Sequence, residues 1–165
     1  MPTSQPEKYH LAMAGEYFVA GQLQRLGLLA SVTYGNAKRA DVIAFTESSD
    51  WAVVVEVKTT RKPQWTFSGR ISTRSQKPWV FVHLPEKSEE PPRFFVLTQS
   101  ELHTILAPLD DEYCRKYKEK NGEEYGDRPW MVNVSLKLLT GHENKWGAIT
   151  KQLKTEPSSQ PDQGE

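Results

Sequence analysis

The stretch Asp41–Lys58 constrains this chain more than any other. Two apolar runs, Asp41-Val-Ile-Ala-Phe45 and Trp51-Ala-Val-Val-Val-Glu-Val57, flank the polar residues Thr46-Glu-Ser-Ser-Asp50. Their β-branched content and short length predict two strands joined as a β-hairpin. The second run is apolar almost throughout, as in a strand buried on both faces, yet it leads into Glu56 and Lys58. Residues two apart on a strand share a face, so these two side chains project side by side. Antiparallel pairing brings Asp41 opposite them. Two carboxylates and an ammonium then converge at one end of a sheet. Buried charge is costly unless it is paired or binds a metal. Oxygen ligands of this kind suit Mg²⁺ or Mn²⁺, with the lysine free to orient a water or neutralise a phosphate. The same letters also fit a structural Glu–Lys pair in an unrelated α/β domain, which would leave Asp41 and Glu56 far apart.

Upstream, residues from Tyr9 to Leu26 follow a helical pattern. Leu11, Gly15, Phe18, Val19, Gln22 and Leu26 form the expected apolar stripe, and Gly27 is the expected stop. Glu16 lies near the edge of that stripe, beside Gly15, which would let the helix approach a sheet closely. It reads either as an ordinary exposed glutamate or as a third carboxylate for the same site. Leu28–Tyr34 reads as a first strand and Gly35-Asn36 as a turn.

This order, Glu16 on a first helix, Asp41 on a strand and Glu56-Val57-Lys58 on the next, resembles the PD-(D/E)XK nuclease superfamily, and within it the archaeal-type Holliday-junction resolvases. Gly15-Glu-Tyr-Phe-Val-Ala20 with Leu26-Gly27 is similar to their first helix. Asn36-Ala-Lys-Arg-Ala-Asp41-Val-Ile43 is similar to their metal-ligand strand, with Ala40 where a proline often stands. The resemblance spans roughly Leu11 to Leu106. It implies a three-layer α/β restriction-endonuclease-like fold, with a central mixed sheet flanked by helices. It implies that Asp41, Glu56 and the Val57 carbonyl hold Mg²⁺ or Mn²⁺, that Lys58 positions or deprotonates the attacking water, and that Glu16 orients that water at the ion or binds a second ion. Phosphodiester hydrolysis follows, with DNA favoured over RNA, and branched, repair and restriction substrates are all compatible. The junction resolvases act as two-fold dimers, so a homodimer is compatible with the resemblance. The alternative is an inactive nuclease-fold protein that serves as a nucleic-acid-binding or protein-interaction module.

The segment Thr59–Arg70 is basic, hydroxylated and aromatic, and reads as a loop leaving the site. Trp65 or Phe67 could stack on an unpaired base there, or tuck into the core. Lys38, Arg39, Arg61, Lys62, Arg70 and Arg74 are the cations expected to meet nucleic-acid phosphates, and Ser72 and Gln76 are further polar candidates. Between Gly35 and Trp79 eight cations face four anions, a local charge of +4 in a chain whose formal net charge is zero. Trp79–Leu84 and Arg93–Leu97 read as strands, with His83 a core or edge residue. Thr98-Gln-Ser-Glu101 reads as a capping box opening a helix through Leu102, Ile105 and Leu106. Asp110–Arg128 is expected to be a short helix plus a loop, Pro129–Leu139 a half-exposed strand, and Glu143–Leu153 a closing helix around Trp146.

At 165 residues one domain is expected, over 9–153, with a flexible start over 1–8 and a disordered tail over 154–165. The lone Cys114 cannot form an internal disulfide and fits a reducing compartment. With no signal-peptide pattern and no apolar run near twenty residues, a soluble cytoplasmic protein without membrane contact is expected. Phosphate-loop, dinucleotide-fingerprint, HExxH and CxxC motifs are absent, and four scattered histidines make no zinc site.

Overall fold

The hairpin forms, and it lies inside a larger sheet. In a computed structural model that describes residues 5–33, 40–68, 71, 75–128 and 130–154, β2 (Val42–Phe45) pairs antiparallel with β3 (Val53–Thr60), setting Val42 opposite Val55 and Ala44 opposite Val53. On the outer side of β2 runs β1 (Leu29–Val32), also antiparallel. β3 continues past the start of β2 and pairs in parallel with β5 (Pro78–His83), which pairs antiparallel with β6 (Arg93–Thr98). The result is a mixed five-stranded sheet in the order β1-β2-β3-β5-β6.

One sheet face carries Val42, Ala44, Val53, Val55, Val57, Val80, Val82, Phe94 and Val96. Against it pack Val19, Ala20 and Leu23 of α1 (Gln5–Arg25) and Ile149 and Leu153 of the closing helix. The other face carries Phe81, Phe95 and Leu97. It is covered by Leu102 and Leu106 of α2 (Gln99–Asn121), by Trp65 of β4 (Gln64–Ser68) and by Val132 and Val134 of β7 (Met131–Ser135). β4 and β7 form a two-stranded antiparallel ribbon of their own. A single turn, α3 (Leu136–Leu139), and a 3₁₀ turn lead to the closing helix, α4 (Gly147–Lys154). The chain is therefore α/β, with a mixed sheet between helical layers.

Several expectations need correction. α1 starts at Gln5, inside the segment 1–8 read as flexible: Pro6 is tolerated in a first turn, and Glu7 there complements the helix dipole. Its buried side is Gly15, Val19, Ala20 and Leu23, while Phe18 (47% exposed) and Leu26 (48%) face outward, so the expected stripe was rotated. The segment after Lys58 is no open loop. β3 runs on to Thr60, and after three residues β4 pairs with β7. α2 passes through Pro108 and reaches Asn121, where Gly122, at φ +75°, donates its N–H to the Lys118 carbonyl. The strand expected over 129–139 stops at Ser135 and turns helical. The capping box is present: the Glu101 N–H donates to Thr98 Oγ1 (3.2 Å) and the Thr98 N–H to Glu101 Oε2 (2.7 Å). Trp146 packs on Phe94. Among the described residues no helix is long and apolar enough to cross a membrane.

Candidate active site

The site forms where β2 ends and β3 does not. The Asp41 N–H donates to the Val55 carbonyl (3.2 Å), the last backbone link between the two strands. One step further, the Asp41 side chain takes over, and its Oδ2 accepts the Val57 N–H at 2.7 Å. The carboxylate thus extends the ladder that the backbone abandons. Because a strand residue directs its N–H and C=O to the same edge, the Val57 carbonyl points to the opening beside Asp41. Continuing the β2–β3 register places Asp41 opposite Glu56.

α1 supplies the third carboxylate. Gly15 sits on Thr59: an ideal Cβ at Gly15 would lie 2.9 Å from both Thr59 Cβ and Cγ2, and closer still to Oγ1. Only glycine permits this approach, which sets Glu16 at the edge of β3. At about 100° per residue, Glu16 falls between Ala20 and Leu23 on the sheet-facing arc. Burial, then the Asp41 charge, pushes its carboxyl up from 4.5 to about 7; Glu56 adds to the rise, and Lys58 opposes it. Asp41 is also raised, by burial first and by Glu56, although the Val57 N–H and the nearby lysines oppose the shift.

Glu56 is in a different state. Its Oε1 accepts from Lys58 Nζ at 2.8 Å and its Oε2 from Lys77 Nζ at 2.6 Å. Burial pushes its carboxyl up, but the two ammonium groups outweigh that and hold it below the usual range. Lys58 Nζ also lies 5.6 Å from the centre of the Trp79 ring. No motif in the sequence singles out Lys77. It stands two residues before Trp79, the parallel partner of Glu56, and its carbonyl accepts the Gln99 N–H at the start of α2 (2.9 Å). Its position depends on β3–β5 adjacency, for which no local sequence signal exists.

Glu16, Asp41, Glu56 and Lys58 therefore come together, and Asp41 and Glu56 are neighbours rather than far apart. Of the expected phosphate-binding cations, Arg61 and Lys62 are exposed on the turn between β3 and β4. Lys62 lines a cavity of about 260 Å³ together with Lys58, Thr60, Gln64 and Thr66. Lys38, Arg39, Arg70 and Arg74 lie outside the described residues, as does Ser72. Gln76 is exposed, and its carbonyl accepts from Gln152 Nε2 (2.9 Å). Trp65 is not available for stacking. It is 3% exposed, with Nε1 donating to the Val82 carbonyl (3.3 Å), and Phe67 packs on Trp79 and Phe81.

No protein-family model matches the chain, and no curated protein is similar to it in sequence.

The donor set fits a hard divalent cation in its chemistry: two carboxylates, one strand-edge carbonyl and a third carboxylate from α1. Burial and the neighbouring acids hold the Glu16 and Asp41 carboxyls up even though Lys58 acts on both and Lys77 on Asp41. The fit is not preformed. Among the described residues no three acidic, histidine or cysteine side chains stand close enough to hold an ion, and both Glu56 oxygens face ammonium groups.

Proposed function

We propose that this protein is a metal-dependent endonuclease of the PD-(D/E)XK type, on a restriction-endonuclease-like fold, hydrolysing phosphodiester bonds of nucleic acid, DNA before RNA. One observation carries the reading. Glu16, Asp41, Glu56 and Lys58 come from α1, the entry to β2 and β3, and they meet at the stretch of β3 that β2 leaves uncovered. Folding alone gives no reason for this meeting, because clustered, half-buried carboxylates repel one another and cost stability.

Asp41, Glu56 and the Val57 carbonyl would hold Mg²⁺ or Mn²⁺, which supplies a Lewis acid for the phosphoryl oxygens and lowers the pKa of water. Lys58, on the same strand face as Glu56, orients the attacking water and stabilises charge developing on the phosphate. Glu16, with a carboxyl near neutrality, is suited to accept or return a proton at that water. Lys62 and Arg61 lie along the path by which a phosphate backbone would leave Lys58. A homodimer suits an enzyme that cuts two strands, and the cytoplasm suits the lone thiol of Cys114.

The alternative, a chain that keeps the fold as a binding module without turnover, draws on the lysine-held state of Glu56. Cleavage separates the two. Duplex, single-stranded, flapped and four-way-junction DNA, and RNA, are incubated with Mg²⁺ or Mn²⁺. Cutting of one class, reduced by about a hundredfold or more in Lys58→Ala, is the expected result. Full cutting by that variant removes the assignment. A folded protein that cuts nothing and binds no Mn²⁺ favours the binding module.

A further inference from the structure

Among the described residues, Lys77 is the one charged group at this site that the nuclease reading does not use. It is not a surface lysine in passing contact. Its ammonium lies 2.6 Å from Glu56 Oε2, and the two side chains are only 25% and 20% exposed. Its main chain is held on both sides, the N–H by Ser75 Oγ (3.1 Å) and the carbonyl by the Gln99 N–H (2.9 Å). The fold thus aims a second ammonium at the carboxylate that Lys58 already pairs.

Charge balance says what that second ammonium is for. Glu16, Asp41 and Glu56 bring three negative charges when ionised, and Lys58 and Lys77 bring two positive ones. A divalent cation would leave the cluster at one positive charge, the complement of one phosphodiester. Without Lys77 the same cluster would be neutral and would hold no excess charge for a phosphate. As the chain stands, however, Lys77 covers a Glu56 oxygen that a cation needs.

Resting on the proposed nuclease reading, we infer that Lys77 is an exchangeable positioning residue. It holds Glu56 while no cation is present, gives up Oε2 when Glu56 takes a divalent ion, and is thereby released to a phosphate of the bound nucleic acid. No bond is made or broken in this exchange. An ion pair with a carboxylate is traded for one with a phosphate.

Two measurements test it without relying on turnover. Calorimetry with MnCl₂ alone is expected to show Lys77→Met binding Mn²⁺ about threefold or more tighter than wild type, because the competing ion pair is gone. Lys77→Arg, which keeps the competing charge, is expected to bind no tighter than wild type. Circular dichroism and thermal unfolding of both variants check that they fold. Binding to a short duplex of nuclease-resistant phosphorothioate DNA, which keeps the backbone charge, is then measured against salt with Lys58 intact. With Mn²⁺ present, Lys77→Met is expected to flatten the log–log slope by about 0.9, the signature of one lost phosphate contact, and Lys77→Arg is expected to keep it. In EDTA the Lys77→Met slope is expected to match its parent, because Lys77 is then held by Glu56. Wild-type Mn²⁺ affinity and an unchanged slope in Lys77→Met would overturn the inference. If wild type binds Mn²⁺ and Asp41→Asn does not, the nuclease reading survives that loss. If neither wild type nor Lys77→Met binds Mn²⁺, both fall.

Discussion

Glu16 carries the clearest single-residue consequence. Its carboxyl is about 7 in the folded chain against an ordinary 4.5, so the native state favours the protonated form. The stability this contributes is complete below about pH 4.5 and is lost as pH rises through 7. Glu56 works in the opposite direction: its depressed carboxyl adds stability that is lost only as pH falls below its ordinary value of 4.5. From about pH 4.5 to 7 the site's pH dependence is set by Glu16 rather than by Glu56. Glu16→Gln is therefore expected to unfold at a higher temperature than wild type at pH 8, with the difference vanishing toward pH 4.5. An equal shift at both pH values would show that Glu16 is not desolvated beside the other acids. Mg²⁺ or Mn²⁺ is expected to raise the wild-type midpoint more at pH 8 than at pH 5, since a cation relieves only ionised carboxylates. A cation effect independent of pH would count against ligation by this cluster.

At the scale of elements, the site depends on two approaches. α1 meets β3 at Gly15, where any Cβ collides with Thr59. Gly15→Ala is expected to cost about 1–3 kcal/mol in urea unfolding and to weaken Mn²⁺ binding, because Glu16 is carried away from the sheet. A neutral Gly15→Ala would mean that α1 sits further out. On the opposite face Phe81 is fully buried and meets Trp65, Phe67 and Trp79. Phe81→Ala is expected to cost about 3–5 kcal/mol in the same measurement, and a loss under 1 kcal/mol would contradict that packing. The β2–β3 hairpin, β5, β6 and the Thr98 cap were legible because each is written in local letters: β-branched runs, a polar turn, a Thr-x-x-Glu signature. The β4–β7 ribbon was not. Its strands are far apart in sequence, Trp65 lies in a stretch whose basic residues read as loop, and only the cover over Phe81 and Phe95 explains why that stretch is extended. The length of α2 was hidden by Pro108, which breaks most helices and here is accommodated within one.

For the molecule as a whole, a strand longer than its neighbour creates the opening. β3 outruns β2 by the residues after Glu56, leaving an edge to which α1 adds Glu16, the entry to β2 adds Asp41 and the segment before β5 adds Lys77. Asp41, Glu56 and Lys58 were legible from spacing on strands, and Glu16 from the resemblance of its helix to the nuclease superfamily. Lys77 was not, because its place follows from the order β3-β5 in the sheet. The central claim is that this edge hydrolyses phosphodiesters with a divalent ion held through Asp41 and Glu56. Its most direct test is the Mn²⁺-supported cutting rate of the best-cleaved nucleic acid, measured side by side for wild type and Glu56→Ala, with far-ultraviolet circular dichroism confirming that both fold. Cutting by wild type that Glu56→Ala lowers by at least about a hundredfold, and that EDTA abolishes, is the expected result. Cutting by Glu56→Ala at the wild-type rate would contradict it.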